Sequence, residues 1–241
     1  TIQDHSGVVF DLRGCTGGSV RLAERLLRRV AGGRIDPVTA QVRNTVGNER
    51  FCRARAGVDE RYRLWGRSIR RRMAEGQLYS EAQPFSHDED VGDRVFRSGR
   101  IPSLVIVDRN TASAGEVFAA GFQDNSLGEV IGTHASTSGA CAHSVRLSHL
   151  LMARVNNLDY PFDRESEIGR LRFAIARIGR GGLRAGTPIE GRGVRPDRVV
   201  PLTRNDVLNR NQDLLLTAAR RLVVSAPASS GSGRSLPPTA L

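Results

Sequence analysis

The run Leu104-Val-Ile-Val-Asp-Arg-Asn-Thr-Ala-Ser-Ala-Gly-Glu-Val-Phe-Ala-Ala-Gly-Phe-Gln-Asp124 narrows the folds open to this chain more than any other stretch. Leu104 to Arg109 reads as a buried strand, Asn110-Thr-Ala as a loop, and the residues through Gln123 as a helix packed with small side chains. Glu129-Val-Ile-Gly-Thr133 follows as another strand. The opening of the chain has the same grammar. Gly7 to Arg13 is a short apolar strand, Gly14-Cys-Thr-Gly-Gly18 a turn, and from Ser19 the positions Ala23, Leu26, Leu27 and Val30 keep helical spacing until Gly32-Gly33. Strands that alternate with helices in this way imply an α/β fold.

Further strands are expected at Thr39–Arg43, Ala142–Leu147 and Val199–Leu202. Leu171, Phe173 and Ile175 alternate with Arg172, Ala174 and Ala176, the pattern of a half-buried strand near a sheet edge. Thr203 and Asp206 make a capping pair for a final helix with Val207, Leu208, Leu215, Ala218 and Leu222 on its apolar side. Between residues 44 and 100 charge dominates. Arg53 to Met73 can form a basic amphipathic helix around Tyr62, Leu64, Trp65 and Ile69, and His87-Asp-Glu-Asp90 reads as loop. This stretch is expected to be a mainly helical insertion covering the core, either a lid or a solvated hairpin. The division expected is a core domain over 1–224, with 44–100 inserted, and a disordered Ala/Ser/Gly/Pro-rich tail over 225–241.

Composition removes several function classes. The formal charge is +11, and all 36 basic residues are Arg, for the chain has no lysine. The Arg residues are spread along the whole length, aromatics are 5%, and no nucleic-acid-binding motif occurs, so no nucleic-acid partner is expected. Cys15, Cys52 and Cys141 form no CxxC or metal-ligand spacing, so neither metal nor cofactor is expected. No run of about 18 apolar residues exists to span a membrane.

Chemistry concentrates at Ser113. The small-residue loop after the strand delivers this serine to a helix start, where backbone N–H groups favour negative charge. Ala112, Ala114 and Gly115 would let a substrate backbone approach. Ser113-Ala-Gly-Glu116 is also a capping box, in which the serine merely caps the helix. The local pattern leaves cap and nucleophile both open. Gly14–Gly18 is no phosphate loop of the Walker type, which needs a Gly-Lys pair.

Four separated segments, in order, resemble the C-terminal processing (tail-specific) protease family: Val8-Val-Phe-Asp-Leu-Arg-Gly-Cys-Thr-Gly-Gly18; Val105 to Glu116; Gln123-Asp-Asn with Val130-Ile-Gly-Thr133; and Glu190-Gly-Arg-Gly-Val-Arg-Pro-Asp197. The resemblance implies a Clp-protease/crotonase-like stack of β-β-α units and a serine-type endopeptidase acting on a peptide or protein substrate by acyl transfer. It also implies a secreted or periplasmic setting. Carried over residue by residue, Ser113 matches the family's nucleophile and Gly17 its oxyanion-hole glycine, with the Ala114 N–H as second donor.

The sequence departs from the family at the general base. The bacterial members place a lysine about 25 residues after the serine, and that position is Ser138 here. His134 or His143, on or beside the same loop, could take the proton instead. In the tricorn branch a histidine precedes the core and a glutamate follows late. His5 and Glu190 stand in those places, and the histidine could equally lie in sequence beyond this chain. The remaining expectation is a catalytically inactive member that binds a peptide or an apolar ligand in the same cleft.

Overall fold

The computed structural model describes residues 7–86, 102–152 and 170–225. His5, the acidic run at 87–90 and the tail beyond Ser225 lie outside them. Among the described residues, two four-stranded sheets organise the fold. The first has β1 (Val8–Asp11), β4 (Ser103–Val107), β5 (Gly128–Gly132) and β8 (Arg198–Val199) in that order, all parallel. The second is antiparallel, in the order β3 (Gln83–Pro84), β2 (Thr39–Val42), β7 (Arg172–Gly179), β6 (Ala142–Arg146). The fold is thus α/β with a parallel sheet, as expected.

The helix α4 (Ala114–Asp124) shows why the sequence uses small residues there. Every one of its residues is buried, so it needs close neighbours on all sides. A Cβ on Gly121 would stand 2.5 Å from Leu27 Cδ1 of α1 (Val20–Ala31), so glycine sets the approach of the two helices. α1 begins at Ser19, whose hydroxyl accepts from the Leu22 N–H, and ends at Gly32 in the left-handed conformation, as the glycine pair suggested.

One apolar core holds Leu27, Val105, Phe118, Phe122, Ala40 and Ile178, and so joins both sheets through α1 and α4. On the other side of the parallel sheet, Leu104, Ile106 and Ile131 pack against Leu214 and Ala218 of the last helix. The strand Ser103–Val107 is buried throughout because apolar groups cover both its faces.

Three local expectations need correction. The single helix expected over Arg53–Met73 is two helices, α2 (Val46–Arg55) and α3 (Glu60–Ala74). The first ends at Arg55 with Ala56 as its cap, and Asp59 caps the second by accepting from the Arg61 N–H. Phe51, Trp65 and Ile69 from these helices enter the main core.

The strand at 171–176 is not at an edge, since β7 lies between β2 and β6. Its alternation also breaks. A register shift opposite His143/Ser144 leaves Phe173 exposed while Ile175 and Ala176 are both buried.

The final helix is split into α6 (Arg204–Leu208) and α7 (Gln212–Ser225), because Arg210 and Asn211 take positive φ. Leu214 and Ala218 then face the core, while Val207, Leu208 and Leu215 are exposed. α5 (Leu147–Met152) follows directly on β6.

Candidate active site

Asp108, just past β4, fastens the two loops that make the site. Its Oδ1 accepts from the Gly14 N–H at 3.1 Å, the Asn110 N–H at 3.0 Å, and the N–H and hydroxyl of Thr111 at 2.8 and 3.0 Å. Burial pushes this carboxyl up, but the hydrogen bonds outweigh it and hold Asp108 below its ordinary range. Thr111 Oγ1 also lies 2.9 Å from Leu12 O, which competes with Asp108 for its one proton, and the Ala112 N–H donates to Cys15 O at 2.8 Å. The glycine turn and the serine loop are therefore one hydrogen-bonded unit.

That unit brings Gly17 against Ser113. A Cβ built on Gly17 would lie 2.5 Å from Ser113 Cβ and 3.0 Å from its Oγ. Only a glycine fits, and its φ of +117° demands glycine as well. Ser113 itself has φ 52° and ψ −118°, which a non-glycine residue adopts at a cost of about 1–3 kcal/mol. Its N–H is shared between Ala140 O at 2.9 Å and Glu116 Oε2 at 3.0 Å. Ser113 and Glu116 stand as the capping box that the sequence suggested, Glu116 accepting from the Ser113 N–H. The amides of Gly17 and Ala114 donate to no other backbone carbonyl among the described residues.

Glu116 does more than reciprocate a cap. Fully buried, its carboxylate accepts from the Ser113 N–H, from Thr137 Oγ1 at 2.6 Å and from the Gly139 N–H at 2.7 Å. Burial raises its pKa, and those hydrogen bonds offset the rise only in part. It thereby ties the serine to the loop in which the family's lysine would stand. Sequence reasoning missed this hub and that of Asp108. The one available signal was an acidic residue three positions from each end of a small-residue loop.

The cleft beside Ser113 has a volume of about 310 Å³ and is bordered by Gly18, Cys141, His143 and Arg172 among others. His143 shares it with Ser113, but the two make no hydrogen bond. Its Nε2 lies 3.4 Å from the Tyr62 hydroxyl, and its ring packs on Phe85 and Trp65 at 5.4 and 5.9 Å between centroids. Burial, then the charges of Arg61 and Arg172, lower its pKa to about 4 against a small opposing pull from Asp59.

His134 is exposed, bonds Thr133 Oγ1 through Nδ1 at 3.0 Å, and does not border the cleft. Ser138 is exposed, and its N–H donates to Thr111 O. Glu190 Oε2 accepts the Cys141 N–H at 2.6 Å, clamping the start of β6 from outside. Cys141 in turn points its thiol at Ser113 O, 3.6 Å away, and burial drives that thiol's pKa up.

A buried strand, a glycine turn and a serine under backbone strain thus meet at the start of α4. Residues 1–200 match the model of peptidase family S41, and the chain belongs to that family. Its structural neighbours include mature CPAF at 18% identity and TM-score 0.63, covering 96% of this chain and 46% of CPAF. CPAF complexed with lactacystin matches over 92% and 45%, with 18% identity and TM-score 0.60. The photosystem II D1 C-terminal processing protease matches at 21% identity and TM-score 0.46, over 83% of this chain and 36% of that one. This chain spans less than half the length of these structures. No protein of curated function matches it.

Proposed function

We propose that this chain carries the catalytic core of a serine-type endopeptidase with Ser113 as nucleophile. The observation that carries the reading is the contact of the Gly17 backbone with Ser113. On this reading the amides of Gly17 and Ala114 are the two oxyanion donors beside the hydroxyl at the mouth of α4. Attack of Ser113 Oγ on a substrate carbonyl would place the developing oxyanion between these donors, each contributing about 3 kcal/mol to lowering the barrier. The acyl-enzyme formed would then be hydrolysed by water.

Substrate would lie along β6. Among the described residues this strand pairs with β7 alone and ends the antiparallel sheet, and its residues Ala142, His143 and Ser144 border the cleft. An extended peptide added to that edge would present successive carbonyls to Ser113 in a fixed register.

For the base, His143 is the histidine that shares the serine's cleft, and it is neutral at pH 7. Its lowered pKa gives the assignment a signature. Activity through His143 would rise through pH 4 and stay level from about 5 to 8, whereas a base of ordinary imidazole pKa puts the rise near 6.5. The same lowered pKa, with the neighbouring Arg61 and Arg172, favours a second reading, a site that binds peptides without cleaving them.

A fluorophosphonate probe separates the two. The enzyme labels, and Ser113→Ala abolishes the label. Labelling that persists in Ser113→Ala overturns the assignment, and absence of label in the native chain selects the binding reading.

A further inference from the structure

The cleft continues past Ser113. A second hollow of about 180 Å³, between α2, α3 and β6, meets it at His143, Ser144 and Arg172. Five arginines border the joined trough: Arg21, Arg61 and Arg172 in the first part, and Arg55 and Arg146, again with Arg172, in the second. No Asp or Glu borders either part among the described residues. This is not the habit of the neighbouring surface. On α3, Arg63 pairs with Glu60, Arg70 with Glu49, Arg71 with Glu81 and Arg72 with Glu75.

Within the trough, Arg61 is held by Asp59, which Arg21 also approaches at 3.6 Å. Arg55, Arg146 and Arg172 have no carboxylate within ion-pair distance among the described residues. Arg172 is oriented by Ser144, donating from Nε to the hydroxyl and from Nη2 to the carbonyl, both at 3.0 Å. Arg55 lies over the rings of Phe51 and Tyr62, at 5.9 and 5.6 Å from their centroids. A guanidinium fixed on its own sheet or on aromatic faces loses little freedom when a carboxylate arrives.

We infer that this trough selects peptide segments bearing Asp or Glu side chains, with Arg172 and Arg146 as specificity determinants. The inference deepens the peptidase reading by naming the substrate class, and it rests on peptide occupancy of the β6 edge rather than on cleavage. The acidic side chains would enter beside the main chain laid along β6, each meeting a planar donor pair. One such charge-assisted contact contributes about tenfold in affinity.

The test uses the full chain carrying Ser113→Ala and fluorescent peptides matched except for Glu or Gln at the positions flanking a central apolar residue, read by polarisation. Each peptide is made with a free and an amidated C-terminus. The Glu peptide is expected to bind about tenfold more tightly, equally in both terminal forms, with the advantage shrinking as salt rises. Arg172→Gln should remove most of the advantage and Arg172→Lys restore part of it. Arg146→Gln, on an exposed side chain, should reduce it without touching the fold.

Equal binding of Glu and Gln peptides overturns the inference. So does an advantage that follows the free terminus alone, or one that survives both Gln substitutions. Because binding is read without turnover, these outcomes stand apart from the labelling result that decides the nucleophile.

Discussion

At the scale of single residues the site depends on contacts too close for any side chain but the one present. Gly17 and Gly14 both have positive φ, +117° and +69°, so alanine strains the backbone at either. They differ in surroundings: a Cβ on Gly14 meets nothing within 4 Å, while one on Gly17 strikes Ser113. Gly14→Ala is therefore expected to cost about 1 kcal/mol of stability and to keep the fluorophosphonate reaction. Gly17→Ala should slow that reaction by about 10²- to 10³-fold, because it would displace both the hydroxyl and the proposed oxyanion donor. Labelling rates of the two variants, beside their unfolding midpoints, check the claim. Equal rates would mean that the Gly17 amide has no part in the chemistry.

At the scale of elements, β6 shows how a sequence pattern carries part of a site and conceals the rest. A strand was expected at Ala142–Leu147 and runs over Ala142–Arg146; the helix after Ser113 and its glycine partner turn were legible too. The register shift opposite His143/Ser144 was not, because a bulge arises from the pairing of two strands and neither strand's own alternation encodes it. Likewise Glu116 and Asp108 look like ordinary cap and turn acids until the folded loops aim several donors at each. The aromatic shelf of Tyr62, Trp65 and Phe85 lies far from His143 in sequence, so nothing local foretold that the imidazole would be lodged there.

That lodging has a pH consequence. With a folded pKa of about 4 against 6.5 unfolded, His143 binds fewer protons in the fold than in the unfolded chain between those values. Its contribution is complete above pH 6.5 and is lost as pH falls toward 4, an effect of ~3 kcal/mol at most. His143→Phe, which suits the shelf, should flatten the fall of the unfolding midpoint between pH 6.5 and 4.5. An unchanged slope would place the acid sensitivity elsewhere.

At the scale of the whole molecule, the far end of α4 is anchored as firmly as its serine end. Arg180, immediately after β7, donates from Nε and Nη2 to the Asp124 carboxylate at 2.8–3.1 Å, and from Nη2 also to Gln123 Oε1 at 2.8 Å and Ala120 O at 3.2 Å. Gln123 Nε2 donates on to Arg195 O and Asp197 Oδ1, and Asp197 Oδ2 accepts the Val130 N–H at 2.8 Å. One polar chain thus links the antiparallel sheet, the central helix, the loop after Glu190 and the parallel sheet. Asp124 and Arg180 are both buried, so the pair carries a desolvation cost that only complete hydrogen bonding offsets.

Removing half of it is the damaging change. Asp124→Asn leaves a guanidinium buried without its countercharge and is expected to cost about 3–5 kcal/mol in urea unfolding. The double change Asp124→Leu with Arg180→Met removes both charges and should cost less than Asp124→Asn alone. If the pair instead contributed chiefly through its own attraction, the double variant would fall at least as far as the single one. If the double variant does cost less, the helix is held by packing against Leu27 and the sheets, with the polar chain adding alignment only. Because that alignment sets how Ser113 meets Gly17 at the opposite end of α4, the labelling rate of the double variant reads the distinction directly. A stable fold with slowed labelling would assign the buried pair to the geometry of the site rather than to stability.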